Sequence, residues 1–295
     1  FWVKPSVTYL KKYVEEHQID TIITTGPPHS LHLIGLQLKK ELNITWLADF
    51  RDPWTTIGYH KQLKLSSWAA NKHKALEKEV MNSCDQLIVT SPTTKTEFQA
   101  ITLKPIEVIT NGYDVEQVSK KPLDDKFSSA RNPQILWKAL QELTEENSEF
   151  NQQFQLKLIG AVSAEVLQSI KEFKLENHVN LLGYMPHNEA IIEQRSSQVL
   201  LLIEIDSKET KCIIPGKLFE YMVSERPIIA IGPENADFSQ IIKETNTGTF
   251  FKYNEFDALK KQFQQNNLKV YPVGLQQYSR KSLTEKLSKL LNSKF

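Results

Sequence analysis

Two short apolar runs, Gln198-Val199-Leu200-Leu201-Leu202-Ile203 and Pro227-Ile228-Ile229-Ala230-Ile231-Gly232, flank a stretch that opens on Pro215-Gly216 and keeps helical spacing from Lys217 to Ser224. Runs this short, apolar and β-branched suit strands buried on both faces, as when helices cover a parallel sheet on either side. Pro215 and Gly216 carry turn chemistry, and no breaker interrupts the residues after them. The order strand, loop, helix, strand is the repeating unit of a parallel α/β sheet. It also says where to look for a site, because ligands of such sheets lie beyond the carboxyl ends of the strands. Lys217 and Glu220 stand three residues apart there and share a helix face. A lysine in that place suits a diphosphate, and a carboxylate one turn deeper can accept two hydrogen bonds from a ribose diol. The same spacing also fits an ordinary ion pair on a solvated helix.

The alternation runs through the rest of the chain. Residues Val7 to His17 have helical spacing, and Asp20 to Thr25 is a β-branched strand that ends at Gly26-Pro27-Pro28-His29-Ser30. That loop enters a helix from Leu31 to Leu42, with Ser30 as its expected N-cap. A stiff loop at a strand's carboxyl end is expected to wall a cleft, which makes His29 and His32 candidates for substrate contact. The next strand, Ile44 to Phe50, carries Asp49 and ends in Arg51-Asp52-Pro53-Trp54. Two carboxylates, a guanidinium and an indole offer acceptors for hydroxyls and an apolar platform for a sugar ring. A bridge from Arg51 to Asp49 or Asp52 that merely fixes the turn is the alternative.

From Tyr59 to Lys74, lysines alternate with Tyr59, His60 and Trp68, a composition that suits either an anionic lipid surface or a solvated helix. His73 and Glu77 share a helix face, but no second histidine follows at zinc-protease spacing. Gln86 to Thr90 is a further strand, Ser91-Pro92 opens a helix, and Ile106 to Thr110 leads into Asn111-Gly112-Tyr113-Asp114. Residues Gln117 to Asn132 are polar and charged, as in a linker. Beyond it come a strand from Phe154 to Gly160, a helix from Ala164 to Phe173, a strand from Val179 to Leu182, and a helix after Gly183-Tyr184-Met185-Pro186-His187. Gly248 precedes a strand-like Thr249-Phe250-Phe251, and Ser279 to Leu291 is a final amphipathic helix.

At 295 residues the chain is long enough for two domains. Its 40% hydrophobic and 24% charged residues describe a soluble globular protein. With 36 basic against 35 acidic side chains, bulk charge argues against a nucleic-acid partner. Cys84 and Cys212 form neither a disulfide framework nor a metal-ligand spacing, which fits a reducing cytoplasm. No apolar run approaches the roughly 18 residues of a membrane span.

Lys217-Leu218-Phe219-Glu220-Tyr221-Met222, followed by Ser224-Glu225-Arg226-Pro227-Ile228-Ile229-Ala230, resembles the donor-site segment of GT-B glycosyltransferases of the family 4 type. The Asn111-Gly112-Tyr113-Asp114 segment is similar to the one that closes the N-terminal domain in that family. Leu158-Ile159-Gly160 and Leu181-Leu182-Gly183 are similar to its strands that end in glycine beside the nucleotide. The resemblance implies an α/β GT-B architecture of two Rossmann-like doubly wound domains facing across a cleft. These would be an acceptor-side domain over 1–116, incomplete at its start, and a nucleotide-sugar donor domain over 117–295. It implies Glu220 on the nucleotide ribose and Arg131 and Lys217 on the diphosphate. Gly216, Asn111, Gly112 and Gly160 would border the donor, with Asp49, Arg51, Asp52 and His29 around the reacting sugar.

The implied activity is transfer of a sugar, with retention and without a metal or other cofactor, from a nucleotide sugar to a glycan or lipid-linked acceptor. The implied setting is polysaccharide biosynthesis in the cytoplasm, with peripheral contact at the membrane's cytoplasmic face. Two departures stand out. Cys212 occupies the place of a second family glutamate that often contacts the sugar. An apolar strand with a glycine loop, which the family places before the position of Arg131, is not found between Phe127 and Arg131. A GT-B nucleotide-sugar epimerase, a catalytically silent partner subunit, and a GT-A transferase using Glu204-Ile205-Asp206 are the other readings.

Overall fold

A computed structural model describes residues 2–114, 126–127, 131–265 and 268–292. Most of the linker segment read from the sequence, including residues 117–125 and 128–130, lies outside them. The described residues divide into two compact units. One lies within Phe1–Asn111, Cys212–Ile214 and Glu285–Phe295, the other within Gly112–Lys211 and Pro215–Thr284.

The first unit runs α1 (Val3–Glu16), β1 (Thr21–Gly26), α2 (Ser30–Glu41), β2 (Thr45–Phe50), α3 (Ser67–Ser83), β3 (Gln86–Val89), α4 (Pro92–Gln99) and β4 (Ile106–Val108). The strands form one parallel sheet in the order β1-β2-β3-β4. Trp46, Ala48, Phe50, Leu87 and Val89 pack with Leu36, Val80, Met81 and Phe98 from the helices on one side. Val7, Val14, Ile34, Leu38 and Ile44 make a second, smaller cluster. Each such side chain contributes about 1.5 to 3 kcal/mol on full burial.

Two glycines let the layers approach. A Cβ at Gly35 on α2 would overlap the Trp46 indole, and one at Gly26 would lie 2.7 Å from His32 Nε2. Ser30 does not cap α2: the chain already winds at Pro28, whose carbonyl accepts from Leu31 N at 3.0 Å, so His29 takes the cap position. Ser91 does cap α4, accepting from Thr94 N, with Pro92 opening the helix.

The second unit holds β5 (Lys126–Phe127), α5 (Gln134–Glu146), α6 (Ser148–Gln153), β6 (Leu156–Ile159), β7 (Ala161–Val162), α7 (Ala164–Glu172), β8 (Val179–Gly183) and α8 (His187–Ser196). It continues through β9 (Leu200–Ile203), α9 (Gly216–Met222), β10 (Ile228–Gly232), α10 (Asp237–Thr245), β11 (Gly248–Lys252) and α11 (Phe256–Phe263) to α12 (Arg280–Asn292), whose later residues group with the first unit.

All its ladders are parallel, but they fall into three groups: β11-β10-β9, β6-β8 and β5-β7. Among the described residues no ladder joins β6 to β9. The strand described ahead of Arg131, β5, pairs with β7 instead. The core is nonetheless continuous, with Leu136, Trp137, Leu140, Leu158, Val166, Ile203, Ile229, Ile231 and Phe251 in one cluster. β6 is followed by Gly160 and β8 ends at Gly183; their φ values of 99° and 65° are ones that side-chain-bearing residues rarely adopt.

Candidate functional site

In the first unit, the carboxyl ends of β1 and β2 carry a box of rings. His29 stacks on Trp54 with centroids 5.2 Å apart and planes 12° from parallel, and His32 stacks on Phe50 at 4.3 Å. Trp54 is held from behind by Glu77 of α3. That buried carboxylate accepts from the backbone N–H groups of Trp54 and Thr55, each at 3.1 Å, and from the Thr55 hydroxyl at 2.5 Å. Thr24 accepts from Trp46 Nε1 at 2.9 Å and lies 2.8 Å from His32 Nδ1. If its hydroxyl donates to Nδ1, the proton of the neutral ring sits on Nε2.

Burial, reinforced for His29 by the nearby His60 and His73 and for His32 by His29, lowers the two histidines to about 4 and about 3. Both rings are therefore neutral at neutral pH. Burial also raises the Asp49 carboxyl, against the opposing pull of Arg51. Both ring nitrogens of His29, Nε2 of His32 and Oδ1 of Asp49 are buried without a hydrogen-bond partner. Such atoms are rare in folded proteins, and each costs energy until a donor or acceptor arrives.

Arg51 is engaged in a different way. Its Nη1 donates to Ile109 O at 3.0 Å and its Nη2 to Asn111 Oδ1 at 2.5 Å, while Asp49 Oδ1 lies 3.5 Å from Nη1. Arg51 therefore ties the β2 end to the segment after β4, and Asn111 is its partner. Gly112 has a packing reason to be glycine: a Cβ there would overlap Tyr278 O and crowd Leu283. Tyr113 bridges to Ser279 in parallel.

In the second unit, two carboxylates sit past the carboxyl end of β9. Glu204 is fully buried, and Arg131 donates to it from Nε at 3.3 Å and from Nη2 at 3.0 and 3.1 Å. Ile205 N donates to the same carboxylate at 2.8 Å. Arg131 precedes α5, anchored there by its neighbour Asn132, which accepts from Trp137 Nε1 at 2.6 Å and donates to Ser169 at 2.9 Å.

Glu220, on α9, has its Oε1 3.0 Å from Nε2 of His187, the first residue of α8. Glu220 Oε2 and His187 Nδ1 are buried and unpartnered. No hydrogen bond joins the Arg131 and Glu220 groups among the described residues. Gly216 and Lys217 open α9, and a Cβ at Gly216 would meet nothing within 4 Å.

Sequence reasoning missed the parts played by Glu77, Glu204 and His187. Each acts through a partner 22 or more positions away, beyond what helical spacing can signal. Of the basic, aromatic stretch, Trp68 is 72% exposed with Lys72 Nζ over its ring at 5.0 Å, and Leu63 is exposed. His60 turns instead toward His73, 3.2 Å away. No helix among the described residues is long and apolar enough to cross a membrane.

Residues 2–117 match the family model described as Glycosyltransferase Family 4. No curated protein matches the chain by sequence. Solved structures match through the whole chain. A sucrose-phosphate synthase from Thermosynechococcus elongatus aligns with TM-score 0.68 and 16% identity, over 99% of this chain and 77% of that one. HepE of Anabaena, in complex with UDP, aligns with TM-score 0.66 and 14% identity, over 98% and 82%. An α,α-trehalose 6-phosphate synthase from Burkholderia multivorans aligns with TM-score 0.56 and 11% identity, over 97% and 71%. Residues 2–117 are thus similar to Glycosyltransferase Family 4, and the chain shares the GT-B fold of these solved structures.

Proposed function

We propose that the chain is a glycosyltransferase that moves a sugar from a nucleotide-sugar donor to a hydroxyl of a glycan or lipid-linked acceptor. The observation that carries this reading is Glu220, a carboxylate with one buried, unpartnered oxygen on the helix that bears the family's donor-site sequence. Ribose hydroxyls supply the donors that oxygen lacks. When the nucleoside diphosphate leaves, negative charge grows on its β-phosphate. Lys217 and Arg131 are assigned to it. Arg131 contributes directed N–H groups more than net charge, because Glu204 already balances it.

His29, Asp49 and Asp52 are assigned to hydroxyls of the sugar or its acceptor. Arg51 is assigned to holding that loop in place. Neutral His29 and the half-buried Asp49, its carboxyl raised by burial, suit hydroxyls better than phosphates. Retention of anomeric configuration, independence of metal and a place in cytoplasmic polysaccharide synthesis belong to the same proposal. Among the described residues no three His, Cys, Asp or Glu side chains are grouped as metal ligands. Exposed Leu63 and Trp68, with Lys61, Lys64 and Lys72 nearby in sequence, support peripheral contact with an anionic membrane face.

The test is a thermal-shift screen of UDP-, GDP- and dTDP-sugars on wild type and Glu220→Ala, followed by assay of released nucleoside diphosphate with and without EDTA. One donor should stabilise the wild type and lose most of that effect in the variant, with turnover insensitive to the chelator. Equal stabilisation of both proteins removes the ribose role. An epimerised sugar without transfer reassigns the enzyme.

A further inference from the structure

His187 opens α8, yet it is only 5% exposed. Its Nε2 meets Glu220 Oε1 at 3.0 Å. An ionised carboxylate only accepts, so Nε2 holds the proton and donates. With a neutral ring, Nδ1 is then a lone-pair acceptor, and it too is buried without a partner. The two residues together offer two buried acceptors, Glu220 Oε2 and His187 Nδ1, and no free donor. An ionised phosphate is itself an acceptor and satisfies neither atom, whereas a hydroxyl can donate to either. With the ring neutral, these two atoms suit hydroxyl donors better than an ionised phosphate.

Resting on the donor reading above, we infer that His187 is a positioning residue that locks Glu220 for recognition of a ribose diol. The carboxylate of a free glutamate side chain has rotamers to lose when it binds. The Nε2–H bond to Oε1 fixes the carboxylate plane before the nucleotide arrives, so that Oε2 meets a ribose hydroxyl at little further cost in ordering. The geometry also sets which substitutions keep the function. A glutamine at 187 can place its amide nitrogen near the position of Nε2 and keep the bond to Oε1. An asparagine is one methylene shorter, reaches only as far as Nδ1, and loses it.

The experiment measures the affinity of UDP and GDP, each against its 2′-deoxy counterpart, for wild type, Glu220→Ala, His187→Asn and His187→Gln. Wild type is expected to favour the ribonucleotide about tenfold or more, as for a hydrogen bond to a charged group. The preference should collapse toward one in Glu220→Ala, fall several-fold in His187→Asn and be largely retained in His187→Gln. A purely structural histidine would weaken ribo- and deoxynucleotide together and leave the ratio alone. If Glu220→Ala abolishes the preference while His187→Asn preserves it, the role of His187 is overturned and the ribose reading stands. If Glu220→Ala itself leaves the preference intact, the ribose reading falls, and the inference falls with it.

Discussion

The two units keep buried polar atoms at their strand ends by opposite means. In the first, burial removes charge: His29 and His32 titrate at about 4 and about 3, and neutral rings stack on Trp54 and Phe50. In the second, each carboxylate has a nitrogen partner, Arg131 for Glu204 and His187 for Glu220. The first arrangement offers a mixed set of neutral donors and acceptors beside flat apolar faces, which fits sugar hydroxyls and rings. The second offers rigid, oriented acceptors, which fits a ribose diol beside a diphosphate. The contrast teaches that a carboxylate near a strand end is not by itself a ligand group: Glu204 is consumed by Arg131, and Glu220 leaves one oxygen over.

The largest effect is expected at the ion pair between the buried Glu204 and the half-buried Arg131. Arg131→Ala should cost roughly 3 to 5 kcal/mol of stability, because it strands the Glu204 charge in the interior. Denaturant unfolding would show it, and Arg131→Ala combined with Glu204→Gln should recover part of the loss. A neutral single variant would mean that Glu204 is not ionised. Loss of donor binding in Arg131→Ala alone therefore says little about the diphosphate, and Arg131→Lys is the better probe.

The first unit's counterpart is Glu77, which holds the Trp54 loop through neutral donors only. Glu77→Gln should cost about 1.5 to 3 kcal/mol and shift tryptophan emission as Trp54 loosens from His29. Unchanged emission would detach Glu77 from the ring box. Acid should separate the regions further. The folded values of His29 and His32 lie below the ordinary 6.5, so the unfolded chain binds more protons between those values. Stability thus falls as pH drops from 6.5 toward 4, and His32→Leu should lose less over that window than wild type. Parallel curves would contradict the neutral, buried ring.

The smallest expected effect on folding is at Gly216. A Cβ there has nothing within 4 Å beyond its own helix and chain neighbours, so Gly216→Ala should change stability by within about 0.5 kcal/mol. It should weaken nucleotide-sugar binding, read by titration, if the diphosphate passes that backbone. Unaltered affinity would move the diphosphate elsewhere.

Much of this fold is legible in the residues. The runs at 198–203 and 227–232 become β9 and β10 because short β-branched stretches can bury both faces, and Ser91-Pro92 opens α4 by cap chemistry that is local. Local rules fail where a neighbour decides. Ser30 loses the cap position to a turn already wound at Pro28. Nothing local in Asn111-Gly112 shows that Gly112 is small to admit Tyr278 O. For the candidate site, the motif around α9 and the helix start at α5 single out Glu220, Lys217 and Arg131 as candidates. The His187, Glu204 and Glu77 contacts were not, since nothing in a single chain marks which distant polar residue will face a given carboxylate. Arg51 was visible as a charged group but not as the tie to Ile109 and Asn111 that the structure makes of it.

The central claim is that the second unit grips a nucleotide sugar through the free oxygen of Glu220. Calorimetric titration of the donor chosen by the thermal-shift screen, into wild type and Glu220→Ala folded to the same degree, tests it most directly. Affinity should fall about tenfold or more in the variant. Equal affinity in the two proteins would contradict it.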